Sequence, residues 1–125
     1  MAPNLQVSQG FSASEVTVID WQRVLDLHTE IGADGLAEVL ELFLDEVETV
    51  TMRLGRAPDL LEEDLHFLKG SAWNLGFRDF GALCQDGERK AAAGHAEAID
   101  LAAILACYSD SKAMFLARIE TVLAA

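Results

Sequence analysis

Between residues 36 and 54, Leu36, Leu40, Phe43, Val47, Val50 and Leu54 recur at alternating steps of four and three. At 3.6 residues per turn this spacing lays all six on one stripe of a helix. Glu38, Glu41, Asp45 and Glu48 fall off the stripe and face water. A helix with one long apolar stripe must bury it against a neighbour, and the rest of the chain supplies helices rather than strands. Leu and Ala dominate, β-branched residues are few, and only two prolines interrupt the 125 residues. A second stripe, Leu61, Leu65, Leu68, Ala72 and Leu75, follows, with no convincing strand, repeat or low-complexity tract. The expected fold is all-α: an antiparallel four-helix bundle with a short additional N-terminal helix.

Residues 1–18 are small and polar without a sustained period and are expected to form a flexible N-terminal tail; the bundle is expected over 19–125. Asp20 is a suitable N-cap for the short first helix, and Gly32 suits its end. Gly55 ends the second helix and Pro58 opens the third, whose first turn carries Asp59, Glu62 and Glu63 at the positive end of the dipole. Gly76 closes the third helix. A fourth, from about Phe77 to Ala93, is expected to bury Phe80, Leu83, Cys84 and Gly87, with Gly94 at its end. The last segment repeats Leu101, Leu105, Tyr108, Phe115, Ile119 and Val122. Ser109-Asp110-Ser111 weakens its middle, which leaves one bent helix or two.

The formal charge is −12, with 21 acidic residues against nine basic ones. Such a surface repels nucleic-acid phosphates and anionic membranes, so neither is an expected partner. No apolar run approaches the length of a membrane span, and the N-terminus shows no basic and apolar leader pattern. Cys84 and Cys107 have neither disulfide-framework nor zinc spacing and read as core filler. A cytoplasmic protein with free thiols is the simplest expectation.

The third helix carries a group with chemical content. If its apolar stripe faces the core, His66 shares the opposite face with Lys69, Gly70 and Trp73, and with Glu62 and Glu63 one turn earlier. Lys69 is placed to bring an ammonium to an anion on the imidazole. Gly70 leaves room beside the ring, although a glycine in mid-helix costs roughly 1 kcal/mol relative to Ala; close approach of another molecule, or helix packing, would offset that. Ser71 offers a hydroxyl at the flank. A neutral imidazole nitrogen is nucleophilic near neutral pH, and a phosphoryl group held on it brings up to about two negative charges, which a nearby cation stabilises.

The string His66-x-x-Lys69-Gly70-Ser71-Ala72-x-x-Leu75-Gly76 resembles the signature of histidine phosphotransfer (HPt) domains, and the likeness extends through Leu83 and Cys84 to Glu88. The resemblance implies a phosphorelay carrier that takes a phosphoryl group on His66 from one receiver-domain aspartate and passes it to another. It also implies response-regulator receiver domains as partners, with a hybrid sensor histidine kinase as a further one. Mg²⁺ is then supplied by the receiver, no cofactor is bound by this chain, and the protein is a monomer. In that frame Lys69 neutralises the phosphate, Gly70 gives access, and Glu88 occupies a position where a Gln or Glu hydrogen-bonds near the ring. Two departures stand out. Trp73 is bulky, and is either a docking contact or folded back onto the bundle. The cluster Glu62-Glu63-Asp64, with Asp59, makes the approach unusually acidic.

Competing readings are weaker. A lone exposed histidine is usually just solvated; His28 and His95 are read as structural, and Trp21 as packing. A di-iron bundle needs two Glu-x-x-His pairs pointing inward. Only Glu63-Asp64-Leu65-His66 is present, and it faces outward. A non-catalytic acidic adaptor, a degenerate HPt domain that only binds receivers or kinases, remains the alternative.

Overall fold

The computed structural model describes residues 18–124. Of the tail expected over 1–18, residues 1–17 lie outside the described residues, while Val18 packs against the core. Four helices follow: α1 (Trp21–Arg53), α2 (Leu61–Leu75), α3 (Arg78–Ala92) and α4 (Leu101–Ala124). Short 3-10 turns at Pro58–Leu60 and Ala96–Ala98 lead into α2 and α4. The described residues contain no strand; Ile19 and Phe77 make one isolated antiparallel bridge. The fold is an all-α helical bundle.

The expected short first helix is the first arm of α1. Asp20 caps it, its Oδ1 accepting the Arg23 N–H at 3.3 Å. Gly32 then leaves helical geometry at φ 78° and ψ 175°, a conformation glycine adopts without steric cost. The helix is thereby broken into arms 21–31 and 33–53. The second arm buries Leu36, Phe43, Val47 and Val50 and half-buries Leu40, as its stripe requires.

α2 and α3 form a hairpin with only Gly76 and Phe77 between them. Gly76 is left-handed at φ 89° and its N–H closes back onto the last turn of α2. The Asp20 N–H donates to the Gly76 carbonyl at 2.7 Å, and a Cβ on Gly76 would meet the Asp20 carbonyl oxygen at the same separation. The entry to α1 is therefore stapled onto the α2–α3 turn. Phe77, fully buried, sits at the centre of an aromatic cluster with Phe43, Tyr108 and Phe115.

Three details differ from the sequence expectations. Leu83 is 38% exposed, because Phe80, Gly81, Cys84 and Gly87 occupy the inward face of α3 and Leu83 falls beside it. Ile104 is buried in α4, whereas Leu101 and Leu105 are only partly covered. The last segment is one helix through Ser109-Asp110-Ser111; Ser111 is fully buried, with its Oγ 3.8 Å from Cys107 Sγ. A serine that bonds within its own helix satisfies its hydroxyl without breaking the backbone ladder. α4 is also tied to α1 by Glu48, which accepts from the Tyr108 hydroxyl at 2.8 Å and pairs with Lys112.

Candidate functional site

α2 presents its buried face, Leu61, Leu65, Leu68, Ala72 and Leu75, to the core. That orientation turns His66 outward, and its side chain is 67% exposed in the middle of the helix. The ring is nevertheless oriented. His66 Nδ1 lies 2.7 Å from Glu88 Oε2 of α3, and Lys69 Nζ lies 2.7 Å from Glu88 Oε1. One carboxylate thus bridges an imidazole and an ammonium that stand one turn apart on the neighbouring helix.

The charge state of that bridge is set by its partners. The Lys69 ammonium, and secondarily His66, hold the Glu88 carboxyl below its ordinary range, against an opposing push from partial desolvation. An ionised carboxylate only accepts hydrogen bonds. In the neutral form of the exposed His66 ring the proton therefore sits on Nδ1, which leaves the lone pair on Nε2. Lys69 and Glu88 are about one-fifth exposed, so they form a half-buried platform beneath a ring that is itself accessible.

Gly70 adjoins this platform on the exposed side, and a Cβ built there meets nothing within 4 Å. Helix packing inside the protein thus gives no reason for a glycine here. Gly81 is different: a Cβ on it would meet Trp73 Nε1 at 2.2 Å. The Trp73 indole lies across Gly81 of α3, folded back onto the bundle, yet it stays 41% exposed. Glu62 and Glu63 are exposed in the first turn of α2.

Two residues expected near this face lie elsewhere. Asp64 is buried, and Arg53 from the last turn of α1 grips both its oxygens, Nη2 to Oδ1 at 2.7 Å and Nε to Oδ2 at 3.2 Å. The acidic approach to His66 is therefore made by Glu62 and Glu63 without Asp64. Ser71 turns to the other side of α2, where it lines a groove of about 280 Å³ between that helix and the two arms of α1. No group of three or more metal-ligating side chains is assembled among the described residues.

The groove was not anticipated from the sequence. Leu27, Phe43 and Leu75 form its floor, and Ile31, Val39 and Leu42 stand on its rim, 39%, 39% and 56% exposed. Phe67, beside His66, shares a helix face with Ser71 and Asn74 and extends the apolar wall toward the imidazole. The sequence signal is that Val39 and Leu42 are large apolar residues off the buried stripe, set among the outward Glu38, Glu41 and Asp45.

The Hpt domain family matches the chain over residues 38–124, which spans α2, α3, α4 and most of the second arm of α1. The chain belongs to the Hpt domain family, whose members carry out histidine phosphotransfer in two-component phosphorelays and interact with receiver domains. Searches of curated proteins and of solved structures return no match. No helix among the described residues is long and apolar enough to cross a membrane.

Proposed function

We propose that this protein is a cytoplasmic, monomeric phosphorelay carrier that accepts a phosphoryl group on Nε2 of His66 and returns it to a receiver aspartate. The observation that carries the reading is the Nδ1 contact with Glu88. It pins the proton to one ring nitrogen and leaves the other, accessible one as the nucleophile. Lys69 lies one turn on, positioned to meet the oxygens of a phosphoryl group on that nitrogen. Phosphoryl transfer depends mainly on positioning and charge neutralisation, so an exposed carrier needs little more. The Mg²⁺ of the reaction, which neutralises the phosphoryl oxygens in transit, belongs to the receiver. Both oxygens of Glu88, the carboxylate in contact with the ring, are already engaged.

The receiver, free or part of a hybrid sensor histidine kinase, docks over His66 with its apolar surface on Phe67 and the groove rim of Ile31, Val39 and Leu42. Apolar surface at the centre with charge around it is the usual anatomy of such a contact. Incubation of the protein with a phosphorylated receiver domain and Mg²⁺ tests the reading. Acid-labile, alkali-stable phosphate should appear on this chain, and failure with every receiver tried would leave the non-catalytic adaptor as the better description.

Two further outcomes separate the roles of the neighbours. Lys69→Ala should shorten the lifetime of the phosphohistidine or slow its transfer by about tenfold, the worth of one charge-assisted contact. The melting temperature should stay near wild type, and unchanged rates in both directions would remove Lys69 from the site. Gly70→Gln should raise helix stability by up to about 1 kcal/mol, since nothing in the bundle opposes a side chain there. It should nevertheless cut transfer from a receiver at least tenfold by projecting into the docking face. A variant both stabilised and fully active would refute the access role of Gly70.

A further inference from the structure

The proposed transfer creates a charge that the resting site does not contain. The Nε2 lone pair forms the N–P bond, and the P–O bond to the donor aspartate breaks with its electron pair left on that carboxylate. Nδ1 keeps its proton throughout, so the neutral ring becomes a phosphoimidazolium. The site then holds two cations, the ring and Lys69, and two anions, Glu88 and the phosphoryl group. In the resting structure Glu88 serves both Nδ1 and Lys69, each at 2.7 Å. The ring cannot leave Glu88 without giving up its hydrogen bond, whereas Lys69 is a long flexible side chain one turn from the new anion.

From this geometry we infer that Glu88 is an exchangeable counter-ion: on phosphorylation Lys69 passes from Glu88 to the phosphoryl oxygens, and the released carboxylate holds the Nδ1 proton on the phosphorylated ring. The inference rests on His66 as phosphoacceptor. Its consequence is directional. A protonated ring leaves phosphorus as a neutral imidazole, and an unprotonated one must leave as an anion. Glu88 therefore keeps the carrier competent for onward transfer at pH values where a neutral side chain in its place would not.

The other charged groups around His66 are Glu62, Glu63 and Lys69 on α2 and Arg89 on α3, the last paired with Asp86. Glu62 and Glu63 are exposed and screened, and they are common to every variant compared, so they do not alter the differences. Phosphorylation of the full chain with potassium phosphoramidate, followed by a pH titration of the phosphohistidine ³¹P resonance, measures the effect. Glu88→Gln, close to isosteric, should lower the midpoint for loss of the ring proton by about one pH unit, a tenfold change in proton affinity. Its transfer to a receiver at a pH above that midpoint should slow by a similar factor. Lys69→Gln frees Glu88 for the ring, so its midpoint should equal or exceed that of wild type. An unshifted midpoint in Glu88→Gln, or a fall in Lys69→Gln as large as in Glu88→Gln, would overturn the inference while leaving the carrier reading intact. If wild type gives no phosphohistidine resonance with phosphoramidate and no label from a receiver, both fall together.

Discussion

His66→Gln should reduce transfer of phosphoryl label from a receiver domain to background while leaving the bundle folded. The side chain is two-thirds exposed and touches the rest of the protein chiefly through Glu88. Substitutions at such positions change stability by only about 0.5 kcal/mol. A glutamine amide nitrogen has its lone pair delocalised into the carbonyl and does not attack phosphorus, so the chemical effect should be complete. The pairing of full loss with an unchanged melting temperature distinguishes a nucleophile from a structural residue. Label that persists on His66→Gln would have to sit on His28, His95 or a carboxylate. None of these has the combination of a fixed tautomer and a neighbouring ammonium. Among the described residues His95 Nδ1 pairs with Glu97 at 3.7 Å beside a 3-10 turn, which is too long to fix its proton.

How far the site could be read from residues alone follows from which distances a helix fixes by itself. His66, Lys69, Gly70 and Trp73 lie on one helix, so the 3.6-residue period sets their relations. What the period does not fix is the partner across the α2–α3 gap. That requires the length of the turn. With the hairpin centred on Phe77, His66 and Glu88 stand eleven residues to either side, and Trp73 and Gly81 stand four to either side. Glu88 as partner of the ring, and the indole lying over a glycine, are consequences of that register. The resemblance pointed to Glu88; the double use of its carboxylate, one oxygen to each partner, became visible only with the fold.

The misplaced residues have a common cause. Asp64 shares the charge of Glu62 and Glu63, but it lies three residues after Leu61 and four before Leu68 and so belongs to the buried side. An aspartate there is tolerable because Arg53 arrives from a different helix with two parallel hydrogen bonds, and a bidentate pair of this kind offsets desolvation. Ser71 has the hydroxyl that suits the flank of the site, but the five-residue step from His66 carries it well round the helix. Leu83 has the chemistry of a core residue, but Phe80, Gly81, Cys84 and Gly87 take the inward face of α3. In each case the identity of the residue outweighed its phase. The helix axis obeys phase.

Phe77→Ala should cost the fold about 3–5 kcal/mol, the usual range for deleting a fully buried aromatic ring. Against a total stability of about 5–15 kcal/mol for a domain, that is enough to leave a measurable unfolded fraction at ambient temperature. The melting temperature should fall by about 4 °C or more for each kcal/mol lost. The expectation is specific to this position. The Phe77 ring is fully buried, 5.0 Å from Phe43 of α1 and 5.2 Å from Phe115 of α4, and its backbone pairs with Ile19 at the entry to the bundle. It therefore joins both outer helices to the hairpin that carries the site. Because His66 and Glu88 meet only when the two arms of that hairpin hold register, the folded fraction of Phe77→Ala should transfer phosphate normally. Total activity should follow the unfolding curve as temperature rises. A denaturant melt read by far-ultraviolet circular dichroism, run beside the transfer assay, checks both statements. A loss below about 1.5 kcal/mol would contradict the view that this ring anchors the hairpin to both outer helices, and activity that disappears while the helices remain would contradict the expectation that the folded fraction keeps its site.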